Sequence, residues 1–421
     1  MIDSHCHLNS RHFEDDREGA LERAVSDGVI ALMNIGFDRQ SLRETMALIE
    51  EYPFIFGAAG CHPHDATTLD DAFEVEIRNA LDHPRVVAVG EIGLDFYRNL
   101  APADVQQSVF RRMIAVAREK NKPIVIHCRD AFNEVLEALA AEGTSYRGIF
   151  HAFSGTPEEA RKIFDLGFHV GIGGVITYRN ARLSETVATI PLEKIVLETD
   201  SPYLTPHPWR GKRNEPSFVS HVARTIARVR GISLAEVARV TTENYLAAMG
   251  LDAAALPRPV YRIDEAVYIQ AASAELADLD TVPPDSVGEA VLTGIDDPLD
   301  RMDHALALAA RARELGWQVS VNVGGLANHA AGRDVTPELA GHVDEIVLVL
   351  FGPTAESHNR LAFPAVSAEE WESMRDFVRC SVAAGIDTVC EFVAAPGFDP
   401  DPCRTFAKDL GAQYDIRMYR S

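Results

Sequence analysis

Short apolar runs alternate with longer helical patterns along the first 250 residues of the chain. The stretches between the runs carry charged faces, as at Val105–Asn121 and Pro157–Leu166, and Thr156 followed by Pro157 is a typical helix start. The spacing suits a strand, a helix and two loops, so it predicts a closed (β/α)8 barrel, with an open doubly wound sheet as the alternative. The eight runs are Met1–His7, Val29–Ile35, Phe54–Gly60, Val86–Ile92, Pro123–Cys128, Gly148–Phe153, Phe168–Gly174 and Ile195–Thr199.

The same alternation returns after residue 260, with fewer units. The segment 253–260 contains three alanines and two prolines, which predicts a linker between a domain at 1–252 and a second domain at 261–421. Helical patterns occupy Leu299–Leu315 and Ala368–Ala384. We expect a smaller α/β domain that forms part of a barrel. Its strand-like runs are Ala266–Ile269, Ala290–Gly294, Gln318–Val323, Glu345–Phe351, Thr388–Ala394 and Gln413–Met418.

The chain is strongly acidic. Its 421 residues include 40 Lys and Arg against 63 Asp and Glu, a net charge of −23 at pH 7. This balance excludes a general basic surface for nucleic acid, so any phosphate binding must be local or carried by metal ions. The apolar content of 47% is enough for large cores and excludes a disordered chain.

Cysteine usage and the chain start bear on the compartment. The six cysteines are scattered and form no CxxC pair, which favours a reducing environment. The opening sequence MIDSHCHL has no basic segment followed by an apolar run, and no apolar stretch approaches the roughly 20 residues of a membrane span. We therefore expect a soluble, cytoplasmic protein with no membrane association.

Titratable residues stand where five of the predicted barrel strands end. Active-site side chains of a parallel barrel lie at the carboxyl ends of its strands, and histidines at i and i+2 on one strand point the same way. A single such residue is usually a hydrogen-bonded core residue. Six of them are hard to explain by packing, because buried unpaired polar groups are costly. We predict that these side chains converge: His5, His7, Glu91, His127, His151 and Asp200.

This mixture of nitrogen and oxygen donors indicates a divalent metal site. Six ligands exceed what one tetrahedral ion needs, which favours two ions chosen from Zn, Mn, Mg, Fe or Ni, with Glu91 as the candidate bridge. Two ions activate a shared water and hold the oxygens of a displacement, so the chemistry is hydrolytic. Their positive charge attracts phosphate. Asp200 can orient the water and also accept its proton.

Several motifs in residues 1–250 resemble those of the TatD family of metal-dependent deoxyribonucleases, a branch of the amidohydrolase superfamily. The motifs are DSHCH, GCHPH, GEIGLDFYR, PIVIHCRDA, HAFSG and ETDSPYL, the last followed by RGKRNEP. The resemblance implies a distorted (β/α)8 barrel that hydrolyses DNA phosphodiesters as a 3′-exonuclease, with single-stranded 3′ ends as the substrate. It also implies one metal on His5, His7 and Asp200, a second on His127 and His151, and Glu91 bridging them.

Histidines and an arginine beside these motifs are second candidates. We expect His62 to assist catalysis by contacting the scissile phosphate or donating a proton, and His64 to act similarly or to be an ordinary loop residue. Arg129 lies two residues beyond a predicted ligand. It either clamps a phosphate or pairs with Asp95 or Glu198.

The loop after the Asp200 strand holds the densest basic run in the chain. A short charge run is usually a solvated loop, but beside a metal pair we favour contacts from Arg210, Lys212 and Arg213 to a phosphate backbone. Tyr203 and Trp209 are aromatic residues able to stack on bases. Packing is the commoner role for a residue such as Tyr203.

The C-terminal segment, with DEIVLVLFG and GAQYDIRMYR among its runs, weakly resembles the later strands of a radical S-adenosylmethionine barrel. That family needs three closely spaced cysteines after its first strand, and the corresponding Tyr268–Pro284 contains none. Cys380, Cys390 and Cys403 are far apart and are expected on a helix, a strand and a helix. We predict a degenerate, non-catalytic domain with no iron–sulfur cluster and no S-adenosylmethionine, which stabilises the enzyme or binds an unknown protein partner.

Two other functions remain open at this stage. The same ligands would activate water for attack on a small amide, ester or lactone, although the RGKR loop and the lack of a candidate carboxylated lysine favour phosphate. Alternatively the chain is a binding or assembly protein with a structural metal. Structural sites are usually closed and four-coordinate, which argues against that reading.

Overall fold

The computed structural model describes residues 1–143, 145–283 and 287–419. The chain divides into two compact units. The first comprises Met1–Arg17, Ile30–Ile232 and Glu236–Pro257. The second comprises Glu18–Val29, Ser233–Ala235 and the chain from Arg258 onward. The domain limits read from the sequence, at residues 252 and 261, stay a prediction. Pro284, the last residue of the cysteine-free stretch Tyr268–Pro284, lies outside the described residues.

Eight parallel strands form the sheet of the first unit, in sequence order from β1 to β8. The sheet closes beyond the last strand: the Asp200 N–H donates to the His5 carbonyl at 2.9 Å, and the His7 N–H donates to the Ser201 carbonyl at 2.8 Å. This confirms the predicted barrel and excludes the open sheet. The strands are β1 Ile2–Cys6, β2 Ala31–Gly36, β3 Ile55–Ala59, β4 Val86–Asp95, β5 Ile124–Arg129, β6 Gly148–Phe150, β7 His169–Ile172 and β8 Ile195–Leu197.

Helices follow the eight strands along the chain. Thr156 caps its helix as predicted, because its hydroxyl accepts from the Glu159 N–H while Glu159 reaches back to the Thr156 N–H. The pattern at Val105–Asn121 becomes a helix that ends at Asn121 in a left-handed conformation, φ 50°. The helices are α1 Arg17–Ser26, α2 Arg39–Glu51, α3 Asp71–Ala80, α4 Ala103–Lys120, α5 Phe132–Glu142, α6 Pro157–Asp165, α7 Leu183–Thr189, α8 Val219–Arg230 and α9 Leu234–Met249.

The barrel strands are buried on both faces, which is why they read as continuous apolar runs. Side chains of α9, including Tyr245 and Met249, join a core cluster that also contains Ile2, Met33 and Phe56 from the strands. Full burial of side chains of this size stabilises the fold by roughly 1.5–3 kcal/mol each. The packed interior gives the strand ends a rigid base.

The second unit contains a seven-stranded sheet with the order β15-β14-β13-β12-β11-β10-β9. Six of its strands are parallel and only β9 runs antiparallel, against β10. This is the partial-barrel α/β arrangement predicted. The strands are β9 Val260–Ile263, β10 Ala266–Gln270, β11 Glu289–Thr293, β12 Gln318–Val323, β13 Glu345–Leu350, β14 Asp387–Val393 and β15 Gln413–Arg417.

Seven helices complete this part of the described chain. They are α10 Leu276–Leu279, α11 Met302–Glu314, α12 Ala327–Ala331, α13 Thr336–Leu339, α14 Ala355–Asn359, α15 Ala368–Ala383 and α16 Pro400–Asp409. Strand β9 was not predicted, and its first residue was placed in the linker. It is a four-residue edge strand after two prolines, joined to β10 by a tight turn in which Asp264 has φ 52°, so its apolar alternation is too short to read.

Helix α1 ends against strands of this second unit. The last carbonyls of a helix lack partners within it, and here the Gln270 side chain donates to the Val25 carbonyl at 2.7 Å and the Thr293 hydroxyl donates to the Ser26 carbonyl at 2.8 Å. Arg417 on β15 pairs with Asp27 at 2.7 Å. These contacts explain why residues 18–29 group with the later sheet.

No helix in the described part of the chain is both long enough and apolar enough to cross a membrane.

Candidate metal centre

The six predicted ligands come together at the carboxyl ends of the barrel strands. His5 lies on β1 and His7 directly follows that strand, Glu91 and His127 lie on β4 and β5, and the other two follow β6 and β8. Because parallel strands all end at the same rim of a barrel, residues distant in the chain meet there. All except His127 and Asp200 are buried, and those two are partly buried. The six are His5, His7, Glu91, His127, His151 and Asp200.

Glu91 is at the centre of the cluster. Its Oε1 lies 2.6 Å from His127 Nδ1, 2.6 Å from His151 Nε2 and 3.5 Å from His62 Nε2, and its Oε2 lies 3.4 Å from His5 Nε2. Burial alone would raise the pKa of Glu91. The surrounding imidazoles, led by His151, outweigh burial and hold that pKa well below its usual range. Glu91 is therefore an ionised carboxylate ringed by nitrogen donors.

Asp200 joins the cluster through the two histidines at the end of the first strand. Its Oδ1 lies 3.3 Å from His7 Nε2 and 3.7 Å from His5 Nε2. Asp200 adopts a left-handed backbone conformation, with φ 57°, which is uncommon for residues other than glycine. Its N–H is held by the His5 carbonyl. Such strain at a strand end is common where a side chain must point into a site.

The donor set fits divalent metal ions. Neither ring nitrogen of His5 has a hydrogen-bond partner among the described residues, although the side chain is fully buried. Burial lowers the pKa of His5 to about 4, so the ring is neutral, the form that binds metals. An orphaned buried imidazole needs a ligand to offset its desolvation. Three groups place ligand atoms within 4.8 Å of one another: His5, His7 and Asp200; His5, Glu91 and His151; and His62, Glu91 and His127.

His62 is a member of one of these three groups. From the sequence it was expected to have a catalytic role and not to lie among the ligands. The His62 Nδ1 accepts from the His64 N–H at 3.0 Å, which points Nε2 towards Glu91. His62 is buried, with 9% of its surface exposed. The structure therefore brings it into the same cage as His127.

From the sequence, Asp95 was considered as a possible partner of Arg129. Its Oδ2 lies 2.8 Å from His64 Nε2 and 3.3 Å from His127 Nε2. Since His127 Nδ1 faces Glu91, Asp95 fixes both the tautomer and the orientation of that ring. The signal was present in the sequence, because residues 91 and 95 on one strand point to the same face.

Two further buried carboxyls bond to residues that adjoin the cluster in sequence. Glu198 accepts from the Ala152 N–H at 2.5 Å, and burial raises the pKa of Glu198 to about 8. Asp3 accepts from the Thr199 hydroxyl at 2.6 Å and from its N–H at 2.9 Å, and burial raises the pKa of Asp3 to about 7. They hold the backbone just before Asp200 and just after His151.

The predicted phosphate contacts differ in their surroundings. Arg129 stacks on Tyr97, with its guanidinium carbon 4.0 Å from the ring centre, and the described residues show no pairing with Asp95 or Glu198. Arg210 stacks on Tyr178 at 4.6 Å, and Lys212 is exposed.

Arg213 requires a correction. Its side chain is buried and pairs with Asp16 at 2.6 Å and with Glu215 at 3.0 Å, and it also donates to the His12 carbonyl. A guanidinium already satisfied by two carboxylates does not reach for a phosphate. The predicted phosphate contact from Arg213 is wrong, because this arginine bonds the loop after β8 to the segment that follows β1.

The two aromatic candidates also separate. Tyr203 is 54% exposed, and its ring centre is 6.0 Å from that of His7, so it lies beside the cluster and is open to a ligand. Trp209 is only 2% exposed and packs against Phe218 and His221. Base stacking by Trp209 is excluded by its burial.

A closed (β/α)8 barrel with histidines and carboxylates gathered at its mouth defines the class of metal-dependent hydrolases. The family described as TatD related DNase matches residues 2–250, and the chain belongs to this family. The recognition made from the motifs is thereby confirmed.

Relatives and a solved structure agree with this placement. The chain is 43% identical over 246 residues to an uncharacterized metal-dependent hydrolase, YabD, of Bacillus subtilis, covering 58% of this chain and 96% of that protein. It is 35% identical over 254 residues to the 3′-5′ ssDNA/RNA exonuclease TatD of a Rahnella species, covering 58% and 96%. The crystal structure of YJJV, a TatD homolog from Escherichia coli, matches with a TM-score of 0.57 at 28% identity, covering 60% of this chain and 98% of that one.

The family match ends at residue 250, so it does not bear on the resemblance of the later segment to radical S-adenosylmethionine proteins. Cys380, Cys390 and Cys403 lie on α15, β14 and α16, as expected. The absence of a cluster stays a prediction.

Proposed function

We propose that the barrel is a cytoplasmic phosphodiesterase that removes nucleotides from the 3′ ends of single-stranded DNA with the help of two divalent metal ions. The observation that carries the proposal is the cage at the barrel mouth, in which four imidazoles surround Glu91 and Asp200 closes the far side. Some relatives are named 3′-5′ ssDNA/RNA exonuclease, which supports nucleic acid as the substrate class.

Two of the three donor groups divide the cage into two sites. His5, His7 and Asp200 would hold one ion, and Glu91 with His127 and His62 would hold the other. Glu91 faces both sites, because its Oε2 approaches His5 while its Oε1 approaches His127. His151 lies between them, with its ring stacked on His5 at 4.0 Å and its Nε2 3.1 Å from His127 Nδ1. When bound, ions such as Zn, Mn, Mg, Fe or Ni lower the pKa of water and neutralise charge on a phosphoryl group.

The residues of the chain then have separate roles. Asp200 orients the attacking water and accepts its proton, since its carboxylate lies at the open edge of the cage with 14% of the side chain exposed. Asp95 keeps His127 aligned. His64 lies beside His62, and because its Nε2 is bonded to Asp95, its Nδ1 is the nitrogen that can deliver a proton to the leaving oxygen.

Charge favours phosphate over a neutral carbonyl substrate. The imidazoles of the cage are neutral ligands, and its two carboxylates do not cancel the charge of two divalent ions. A site holding both ions is therefore positive and attracts an anion even to a protein of net charge −23. Arg129 and Arg210 add cations on this part of the barrel, and Tyr203 adds an exposed ring. We propose that Arg129 contacts the phosphate and Tyr203 stacks on a base.

None of the three donor groups in the described residues draws a member from beyond residue 257. We therefore propose that the second unit is non-catalytic.

The test uses the full chain, stripped with chelator and reloaded with manganese, on a 3′-labelled single-stranded oligonucleotide. Bis(p-nitrophenyl) phosphate and a panel of small esters, amides and lactones are assayed in parallel. We expect metal-dependent release of mononucleotides from the 3′ end and loss of that activity in Glu91→Gln. Glu137→Gln is the matched control, an exposed glutamate on α5. Turnover of esters or lactones without nucleic acid cleavage would overturn the nuclease proposal, and full activity in Glu91→Gln would overturn the site.

A further inference from the structure

A second feature at the mouth of the barrel is a cleft of about 690 Å³ rich in cationic and aromatic side chains. We call it the arginine cleft. It is lined by Tyr178, Arg179, Asn180, Ala181, His207 and Arg210. Among these residues only Arg210 was singled out by the sequence.

The arginine cleft is built from two loops on the catalytic rim. One follows β7, and the other follows β8 and includes Asp200. The loops are fastened together, because the Tyr178 hydroxyl donates to the Thr205 carbonyl at 3.0 Å and the His207 N–H donates to the Thr177 hydroxyl at 2.8 Å. A side chain at Gly174 would meet the Leu204 carbonyl at 2.1 Å, so the packing there requires glycine. The cleft is therefore a preformed surface and not a loose loop.

Its charge is unusual for this protein. Arg179 and Arg210 are exposed, and within the described part of the chain neither guanidinium has a carboxylate within ion-pair distance. No aspartate or glutamate lines the cleft. By contrast Arg182, three residues further along the same loop, pairs with Glu185 at 2.9 Å. In a chain of net charge −23, two unpaired arginines on one rigid surface favour an anionic ligand.

The geometry of the aromatic residues narrows the kind of anion. The Arg210 guanidinium carbon is 4.6 Å from the Tyr178 ring centre, which orients the arginine plane, and the His207 ring stands perpendicular to Tyr178 at 6.2 Å. Arginine planes and aromatic edges beside cations are the elements with which proteins hold unpaired nucleotides. A cleft of this size accommodates more than one phosphate group.

We infer that the arginine cleft binds the sugar–phosphate backbone of a single-stranded nucleic acid, upstream of the nucleotide held at the metal cage. This inference rests on the proposed function and adds the path of the strand to it. Arg179 and Arg210 contact phosphates, and His207 with Tyr178 supports a base or sugar between them. The cleft thereby supplies affinity that grows with strand length, while the cage supplies the chemistry.

The experiment compares wild type with Arg179→Gln, Arg210→Gln and the double variant. The control is Arg182→Gln, which removes a neighbouring arginine already paired with Glu185. Binding of 5′-fluorescein-labelled dT3 and dT20 is followed by fluorescence anisotropy in chelator, where no turnover occurs, at several salt concentrations. Manganese-dependent release from 3′-labelled dT3 and dT20 is measured in parallel, and circular dichroism checks that each variant is folded.

We expect the double variant to bind dT20 roughly tenfold or more weakly, with a salt dependence shallower by about 1.4, since each phosphate contact to single strands contributes about 0.7 to that slope. On dT20 the loss should be in KM and not in kcat. Manganese-dependent turnover of dT3, which is held mainly at the cage, should change little, and Arg182→Gln should match wild type. If the double variant binds and degrades dT20 like wild type, the inference is wrong while the proposed function stands. If wild type neither binds nor cleaves dT20 but hydrolyses bis(p-nitrophenyl) phosphate, nucleic acid is not the substrate, and both the proposed function and the inference that rests on it are wrong. An equal loss for dT3 and dT20 would show a site for free phosphate or a mononucleotide and would also overturn the inference.

Discussion

Replacing Asp95 by asparagine separates ring alignment from metal ligation. Asp95 Oδ2 receives His127 Nε2 at 3.3 Å and His64 Nε2 at 2.8 Å, while His127 Nδ1 points at Glu91. An amide in place of the carboxylate keeps the size but removes the charge and one acceptor. His127 then loses the group that fixes its tautomer.

The magnitude follows from this geometry. Removing the partner of a metal-bound histidine typically weakens metal binding or activity by about 10- to 100-fold, equivalent to roughly 1.4–2.8 kcal/mol. Folding should survive, because Gln106 bonds the backbone of Asp95 from both sides, at 2.9 and 3.2 Å. The Arg98 N–H bond to Oδ1, at 2.7 Å, is one that an asparagine oxygen can also accept.

The assay is manganese titration of the stripped full chain, with hydrolysis of a 3′-labelled oligonucleotide as the readout. Asp95→Asn should require about 10- to 100-fold more manganese for half-maximal activity and recover most of kcat at saturation. Asp165→Asn, an exposed position at the end of α6, should match wild type. An unchanged manganese requirement in Asp95→Asn would refute the alignment role.

Three other outcomes follow. Glu91→Ala and His127→Ala should each abolish hydrolysis while thermal unfolding still shows a folded protein, and hydrolysis at more than about a tenth of the wild-type rate by either variant would contradict their placement in the cage. Burial, together with Lys194, lowers the pKa of His169 to about 4 from an unfolded value of 6.5, so His169 contributes stability that is present above pH 6.5 and is lost as the pH falls towards 4. Between pH 7.5 and pH 5, urea unfolding should show that wild type loses about 2 kcal/mol more stability than His169→Gln. Equal losses in the two proteins would refute this assignment. Arg417→Met should lower the free energy of unfolding by about 3 kcal/mol, because it leaves the partly buried carboxylates of Asp27 and Glu391 unpaired within the second unit. In the same thermal unfolding assay, replacing the exposed Arg360 by methionine should change that free energy by less than about 0.5 kcal/mol. A similar melting temperature for both variants would contradict the pairing.

The barrel was predictable because its strands are buried on both faces and its side chains at the rim are of unusual type. Each of the eight apolar runs overlaps a strand of the structure, though Gly148–Phe153 shrinks to Gly148–Phe150. The convergence of residues on five strands followed from one topological rule, that parallel strands end at the same rim. The position of His62 among the ligands did not follow, since it lies in a loop beyond the regular strand.

The loop residues were the least predictable. A run of basic letters does not show which guanidinium meets a carboxylate from elsewhere in the chain, and Arg213 meets Asp16, nearly 200 residues away, whereas Arg210 meets none in the described residues. Arg179 was missed because the other cationic side chains of the cleft, His207 and Arg210, come from a different loop. Tertiary contacts of this kind are not encoded in local spacing.

Anomalous diffraction from crystals of the full chain grown with manganese tests the central claim most directly. The account predicts two manganese peaks per chain, one contacting His7 and Asp200 and the other contacting Glu91 and His127. Crystals saturated with manganese that show no peak among these side chains, or ions bound only elsewhere, would contradict it.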